Sequence, residues 1–379
     1  MVAHMRRAFA LLPLAAVLVL GSVAASTGVA AADLYYPQPS GPYSVGSTRA
    51  GFEDTGRPNL LFGDPNRSIE TTVWYPTSAT SGPRAKYLSE NPFNDAIMAA
   101  RIAEMWRQPA LAAEIANQDT SSFRNAPIRT DLGRLPVVIW QPGLGNTRAM
   151  GTSVAEDLAS HGYIVIAVDP PDSTIVEYPN GLINGMPVHS MNDADWMNRT
   201  LNTRVGDTQK VIGSLSELPL GIGAVADPER IGVTGHSYGG YSAMAAAFED
   251  DRVDAAMAID GVAAWPGTDT PKPGSVVENG LSIPSMIFGA LDGGVGISQE
   301  SWDQFRQVTQ SWFGNIRISG ALHHAFTDAR MLLRDVCGAI APDLVFTLTT
   351  QYVRAFFDQF LQGSTQPILD PPTQTLRAD

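Results

Sequence analysis

From Leu135 onward, short apolar, β-branched runs alternate with stretches of helical periodicity, and this alternation restricts the possible folds more than any other feature of the chain. "LPVVIWQPG" is followed by helix-like "TRAMGTSVAEDLASHG", then by "YIVIAVDPPD" and helix-like "NTRVGDTQKVIGSLSEL". The rhythm continues through "RIGVTGH", "YGGYSAMAAAFED", "DAAMAIDG", "IPSMIFGALD", "SQESWDQFRQVTQSWF" and "NIRISGALHH", and a long helical segment, "APDLVFTLTTQYVRAFFDQFLQG", closes it. Continuous apolar strands alternating with helices belong in a parallel sheet covered on both faces. The pattern therefore predicts an α/β fold with a mostly parallel, doubly wound sheet, whose sites lie at the carboxyl ends of the strands.

Upstream, the sequence changes character. Arg6 and Arg7 precede "AFALLPLAAVLVLGSVAA" and the small-residue stretch "STGVAAADL", the order of a secretory signal. Its strongly apolar part, Ala8 to Leu20, is short against the roughly 20 residues a bilayer span needs, and it contains Pro13. Residues 1–32 are expected to be a cleaved leader, which leaves 33–379 as a single domain exported to the exterior or envelope of a bacterial cell, with no membrane span. Within it, "ETTVWYP" at 70–76 alternates as a half-buried strand should. Residues 84–131 depart from the β-rich pattern: "NDAIMAARIAEMWRQPALAAEIANQ" is helical in period and broken by Pro109. It reads as a helical insertion over about 90–117. Its Ile97, Met98, Ile102, Met105 and Trp106 either form a lid or acyl-binding wall or pack as a structural cap.

The 38 acidic residues exceed the 25 basic ones, giving a formal charge of −13, which loss of Arg6 and Arg7 with the leader would make more negative still. That balance argues against nucleic acid as a partner. Cys337 is the one cysteine and has no intrachain disulfide partner; its setting, "RMLLRDVCGAI", suits a buried helix residue. No His or Cys cluster has metal-ligand spacing in the sequence, so no metal or cofactor is expected.

Chemistry concentrates in "RIGVTGHSYGGYSAM", residues 230–244. Gly235-His236-Ser237-Tyr238-Gly239 fits the G-x-S-x-G elbow in its required context of strand, tight turn and helix. A serine needs a base, usually a histidine oriented by a carboxylate, and in this arrangement the chain order is Ser, Asp or Glu, His. His4, His161 and His189 precede the serine, and His236 is poorly placed beside it. His323 and His324 remain. The acid has two candidates at strand ends, Asp260 after "AAMAI" and Asp292 after "IPSMIFGAL", and spacing leaves both open. Backbone donors for a developing oxyanion are expected from Tyr238, the residue after the serine, and from Leu144 in the loop "QPGLGNTR".

Through about 135–330 the sequence resembles plasma-type platelet-activating factor acetylhydrolases and their secreted bacterial relatives, which have the α/β-hydrolase fold. The resemblance rests on "PGLGNTR", "EDLASHGYIVIAVD", "DPERIGVTGHSYGG", "AAMAID" and "HHAFTD". It implies a Ser237, Asp260, His323 triad: Asp260 stands at the family's interval after the serine, and His323, Phe326 and Asp328 match its H-x-x-F-x-D segment. It likewise implies that Leu144 is the leucine of the family's Gly-Leu-Gly loop, although Pro142 replaces the histidine usual before it. Polyester hydrolases and cutinase-like lipases share the elbow and would use Asp292.

The expected function is that of a secreted serine hydrolase of short-to-medium acyl esters or phospholipid acyl groups, with Trp265 and Trp106 beside the substrate cleft. A lipase or polyester hydrolase is the alternative, and a serine peptidase or amidase the alternative of another class.

Overall fold

A computed structural model describes residues 36–59, 65–170, 175–181, 183–185, 193–264, 275–291 and 298–377 of the 379-residue chain. In chain order the strands are β1 (Ser44–Asp54), β2 (Arg67–Thr77), β3 (Arg84–Lys86), β4 (Asp119–Arg124), β5 (Leu135–Gln141), β6 (Ile164–Val168), β7 (Val176–Glu177), β8 (Ile183–Asn184), β9 (Ala226–His236), β10 (Ala255–Ile259), β11 (Ser285–Ala290), β12 (Phe313–Ile318) and β13 (Thr373–Leu376). The helices are α1 (Pro92–Met105), α2 (Ala112–Ala116), α3 (Thr152–Ser160), α4 (Ala194–Gly213), α5 (Ile222–Val225), α6 (Tyr238–Glu249), α7 (Val276–Asn279), α8 (Ser298–Val308), α9 (Ala329–Leu332) and α10 (Pro342–Leu361).

One large sheet has the order β13-β12-β11-β10-β9-β5-β6-β2-β1-β4-β3, and β7 and β8 form a separate ribbon. From β6 through β5 to β13 every pairing is parallel, while β2 joins β6 and β1 antiparallel. The central strands β5, β6 and β10 are buried along their whole length, which is why their sequences do not alternate. On one face they pack against Val211 and Ile212 of α4, Met244 of α6, and Trp302 and Phe305 of α8. On the other they meet Val154 and Leu158 of α3 and Val353, Phe356 and Phe357 of α10. Helices on both faces of a mostly parallel sheet make this a doubly wound α/β fold. Among the described residues no helix is long and apolar enough to cross a membrane.

The segment 84–131 holds α1 and α2, as its helical period suggests, but strands β3 and β4 flank them and extend the sheet edge. The sequence "DTSSFR" of β4 lacks a branched apolar pattern; its place comes from pairing with β1 (Gly46 opposite Phe123) and with β3. The polar edge strand "TQTL", β13, is likewise set by its parallel pairing with β12 and was not legible beyond the last helix. α1 begins at Asn91, whose side chain accepts from the N–H groups of Phe93 (3.0 Å) and Asn94, with Pro92 at the first position where its missing N–H costs nothing. Its apolar face (Met98, Ala99, Ile102, Ala103) packs on Tyr87, Leu88, Ile115, Met150 and Ile175. Cys337 is buried in a 3₁₀ turn, not an α-helix, and burial raises its thiol pKa.

Candidate active site

Strands β5, β9 and β10 are adjacent and β12 lies one strand further on, beyond β11; all run parallel, and the chain leaves each of the four toward the same rim of the sheet with a residue singled out above. Ser237 follows β9 with φ 58° and ψ −123°, a left-handed backbone that costs a non-glycine residue about 1–3 kcal/mol. Its N–H donates to Ile259 O of the next strand (2.9 Å). The flanking glycines permit the corner. A Cβ on Gly239 would lie 2.0 Å from Gln141 O, and one on Gly235 2.4 Å from the same atom, so the end of β5 passes where side chains would stand. Ser237 is the N-cap residue of α6, at the electropositive end of that helix.

Asp260 follows β10 and is also left-handed, at φ 46°, a region that aspartate tolerates better than most residues. Its N–H donates to Phe288 O (2.7 Å), and its Oδ1 accepts from Ala290 N (2.8 Å). Oδ2 is left facing His323, whose Nδ1 is 2.5 Å away. His323 opens the 3₁₀ turn His323–Phe326 beyond β12, and its Nε2 lies 2.9 Å from Ser237 Oγ. Ser237, His323 and Asp260 are thus joined in one hydrogen-bonded line.

Two buried anchors fix the histidine turn. Phe326 packs edge-on against Phe288 at 5.7 Å between ring centres. Asp328 accepts from the hydroxyl and N–H of Ser153 while its own N–H donates to Met150 O, which ties the turn to the start of α3. Burial raises the Asp328 carboxyl pKa against the opposing pull of Arg330.

Sequence reasoning discarded His236 because of its position beside the serine. The structure places its Nε2 2.7 Å from the main-chain oxygen of His323, with the two rings 4.5 Å apart. A carbonyl only accepts, so Nε2 carries the proton. Burial first, then repulsion from His323 and His324, holds the His236 pKa well below the usual imidazole value. A neutral donor therefore steadies the backbone of the residue between Ser237 and Asp260. His324 takes no place in that line. Its pKa is pushed down to about 4 by burial and by His323, and its ring meets the Trp106 indole edge-on at 4.6 Å.

Leu144 lies in the loop after β5, its side chain packed with Trp196, Met197 and Tyr238. Arg204 of α4 is fully buried and donates to Pro142 O (2.6 Å) and Gly143 O (3.4 Å). Across a trans peptide the N–H of Leu144 points opposite to the Gly143 carbonyl, hence away from Arg204. Only the coming together of α4 and this loop reveals Arg204; no motif marks it. Tyr238 is the first residue of α6, and its hydroxyl donates to Met197 O (2.6 Å).

His236, His323 and His324 bring one nitrogen each within 4.8 Å of one another, a cluster that sequence spacing did not reveal because His236 comes from a different strand end. Both nitrogens of His323 and Nε2 of His236 already have partners, so a metal held there would displace the contact of His323 to Ser237 or to Asp260. Trp106 caps the end of α1 against His324. Trp265, Asp292 and the leader 1–32 lie outside the described residues.

Residues 29–184 match the family model described as platelet-activating factor acetylhydrolase, isoform II, and residues 219–275, which contain the elbow, match that of the prolyl oligopeptidase family. A probable 1-alkyl-2-acetylglycerophosphocholine esterase from Arthroderma benhamiae is 25% identical, over 89% of this chain and 91% of that protein. The platelet-activating factor acetylhydrolase of Cavia porcellus is 22% identical, over 77% and 68% of the two chains. Among solved structures, a ferulic acid esterase from Streptomyces cinnamoneus superimposes with a TM-score of 0.73 at 27% identity, covering 88% of this chain and 95% of that one.

Proposed function

We propose that this α/β-hydrolase, a carboxylic-ester hydrolase similar to the platelet-activating factor acetylhydrolases, works by two-step acyl transfer through Ser237. The reading is carried by the hydrogen-bonded line from Ser237 Oγ through His323 to Asp260 Oδ2. Ser237 Oγ attacks the ester carbonyl while His323 Nε2 takes its proton, and Asp260 holds the ring in the tautomer that leaves Nε2 free to accept. The N–H groups of Leu144 and Tyr238 receive the negative charge that develops on the carbonyl oxygen. His323 returns the proton to the departing alcohol oxygen, and water then attacks the acyl-enzyme by the same proton route.

Short-to-medium acyl esters, including phospholipids with a short acyl group, are the substrates this reading favours; the names of the two curated relatives support it. Export behind the leader at 1–32 belongs to the same proposal. The prolyl oligopeptidase match over the elbow supports a second reading, amide hydrolysis on the same residues.

Hydrolysis of p-nitrophenyl esters of two to sixteen carbons, set beside the matching p-nitroanilides, separates these readings. A short-chain ester optimum with anilides at least a hundredfold slower is expected. Preferential cleavage of anilides would favour the peptidase, and a long-chain optimum the lipase or polyester hydrolase.

A further inference from the structure

Beside His323 lies a groove of about 410 Å³, lined by Leu322, Leu333, Val336, Gln108 and Asp335. His323 and His324 also line it, while Ser237, Leu144 and Tyr238 are not among its lining residues. Its lining is largely apolar, and Leu322 is 40% exposed although it immediately precedes the histidine. One wall, Gln108, comes from the turn after α1, so the helical insertion contributes to this groove at the end where Trp106 meets His324.

We infer that this groove receives the alcohol part of the ester, and that it selects alcohols with an apolar chain. The inference rests on the acyl-transfer reading above and deepens it. When the tetrahedral intermediate collapses, the carbon–oxygen bond to the alcohol breaks, and that oxygen takes the proton which Ser237 had passed to His323 Nε2. The departing oxygen must then lie within hydrogen-bond reach of Nε2, while the oxyanion occupies the opposite side, at Leu144 and Tyr238. A substituent on the departing oxygen is thereby carried past the imidazole of His323, a residue that lines the groove. Its apolar walls give a chain a place out of water, and His324, kept neutral by burial, places no charge against it.

The test uses two ester series with the purified protein: alkyl acetates from methyl to octyl, which lengthen the alcohol, and ethyl esters from acetate to octanoate, which lengthen the acyl group. For the unaltered protein, kcat/KM is expected to rise about two- to fourfold per methylene over the first carbons of the alcohol series. Val336→Trp fills the groove and is expected to lower the hexyl acetate to ethyl acetate ratio at least tenfold, while the ethyl hexanoate to ethyl acetate ratio moves less than twofold. Each ratio is taken within one variant, so a loss of folded protein cancels. If Val336→Trp hydrolyses nothing, Leu322→Asp, at an exposed position, carries the same expectation by setting a charge in the chain's path. A flattened acyl series, or no change in either series, would overturn the inference and leave the acyl-transfer reading standing. If the unaltered protein hydrolyses neither series, both fall together.

Discussion

The elbow between β9 and α6 and the helical insertion of α1 and α2 are held in opposite ways. At the elbow single atoms decide the geometry: Ser237 keeps a left-handed backbone because Gly235 and Gly239 leave room for Gln141 O, and Asp260 is aimed by two backbone contacts. In the insertion no one atom decides. Met98, Ala99, Ile102 and Ala103 share an apolar face with Ile115, Met150 and Ile175, and many combinations of similar volume would fill the same space. Backbone contacts at single atoms hold Ser237 and Asp260, while apolar packing holds α1 against its neighbours; a positive φ alone does not separate the two regions, since Arg107 in the insertion has φ 56°.

Gly239→Ala should show the largest difference between the two regions. The new Cβ would stand 2.0 Å from a backbone oxygen that cannot move without shifting β5, so a loss of more than about 3 kcal/mol in stability is expected. Any protein that still folds should have lost most of its esterase activity, since the end of β5 leads into the loop of Leu144. Denaturant melts with ester turnover check this; a variant with normal stability and turnover would break the comparison.

Ile102→Ala removes a fully buried side chain from the insertion and should cost about 2–4 kcal/mol. Turnover per folded molecule should stay within about twofold, because apolar packing tolerates loss without moving the strand ends. A hundredfold fall in kcat would show that the insertion positions the reacting groups after all.

Glu156 sharpens the comparison at the root of the insertion, where α3 meets β4. Tyr36 Oη (2.8 Å), Ser122 Oγ and Ser121 N donate to its carboxylate, yet burial outweighs them and lifts its pKa from 4.5 to about 7. Below about pH 4.5 the carboxyl is protonated in both the folded and the unfolded chain. Between there and about pH 7 only the folded form keeps the proton, so this group's contribution to stability falls as pH rises and is lost once the folded carboxyl ionises. Glu156→Gln should remove that slope. Its stability relative to the unaltered protein should rise by up to about 3 kcal/mol from pH 5 to pH 8 in chemical melts. A pH-independent difference would count against a buried, protonated carboxyl.

The same contrast explains what could be read in the sequence. The central strands were legible because burial on both faces leaves continuous apolar runs, and the elbow because its glycines stand at fixed offsets from the serine. The sequence pattern alone left the acid open between Asp260 and Asp292, since each ends an apolar run. The resemblance pointed to Asp260, and the structure places Asp260 against His323. Strands β3, β4 and β13 escaped notice because pairing, not hydrophobic period, sets them. Arg204 and His236 were invisible for a related reason: each acts on a main-chain oxygen of a segment remote in sequence, and no spacing rule encodes such a contact.

The most direct test of the central claim is covalent labelling by a p-nitrophenyl phosphonate ester, followed by intact mass and peptide mapping in the unaltered protein and in Asp260→Asn. The account predicts one adduct per chain, on Ser237, formed about a thousandfold more slowly in Asp260→Asn while the melting temperature stays within a few degrees. An adduct on another residue, or labelling of Ser237 at an undiminished rate in Asp260→Asn, would contradict it.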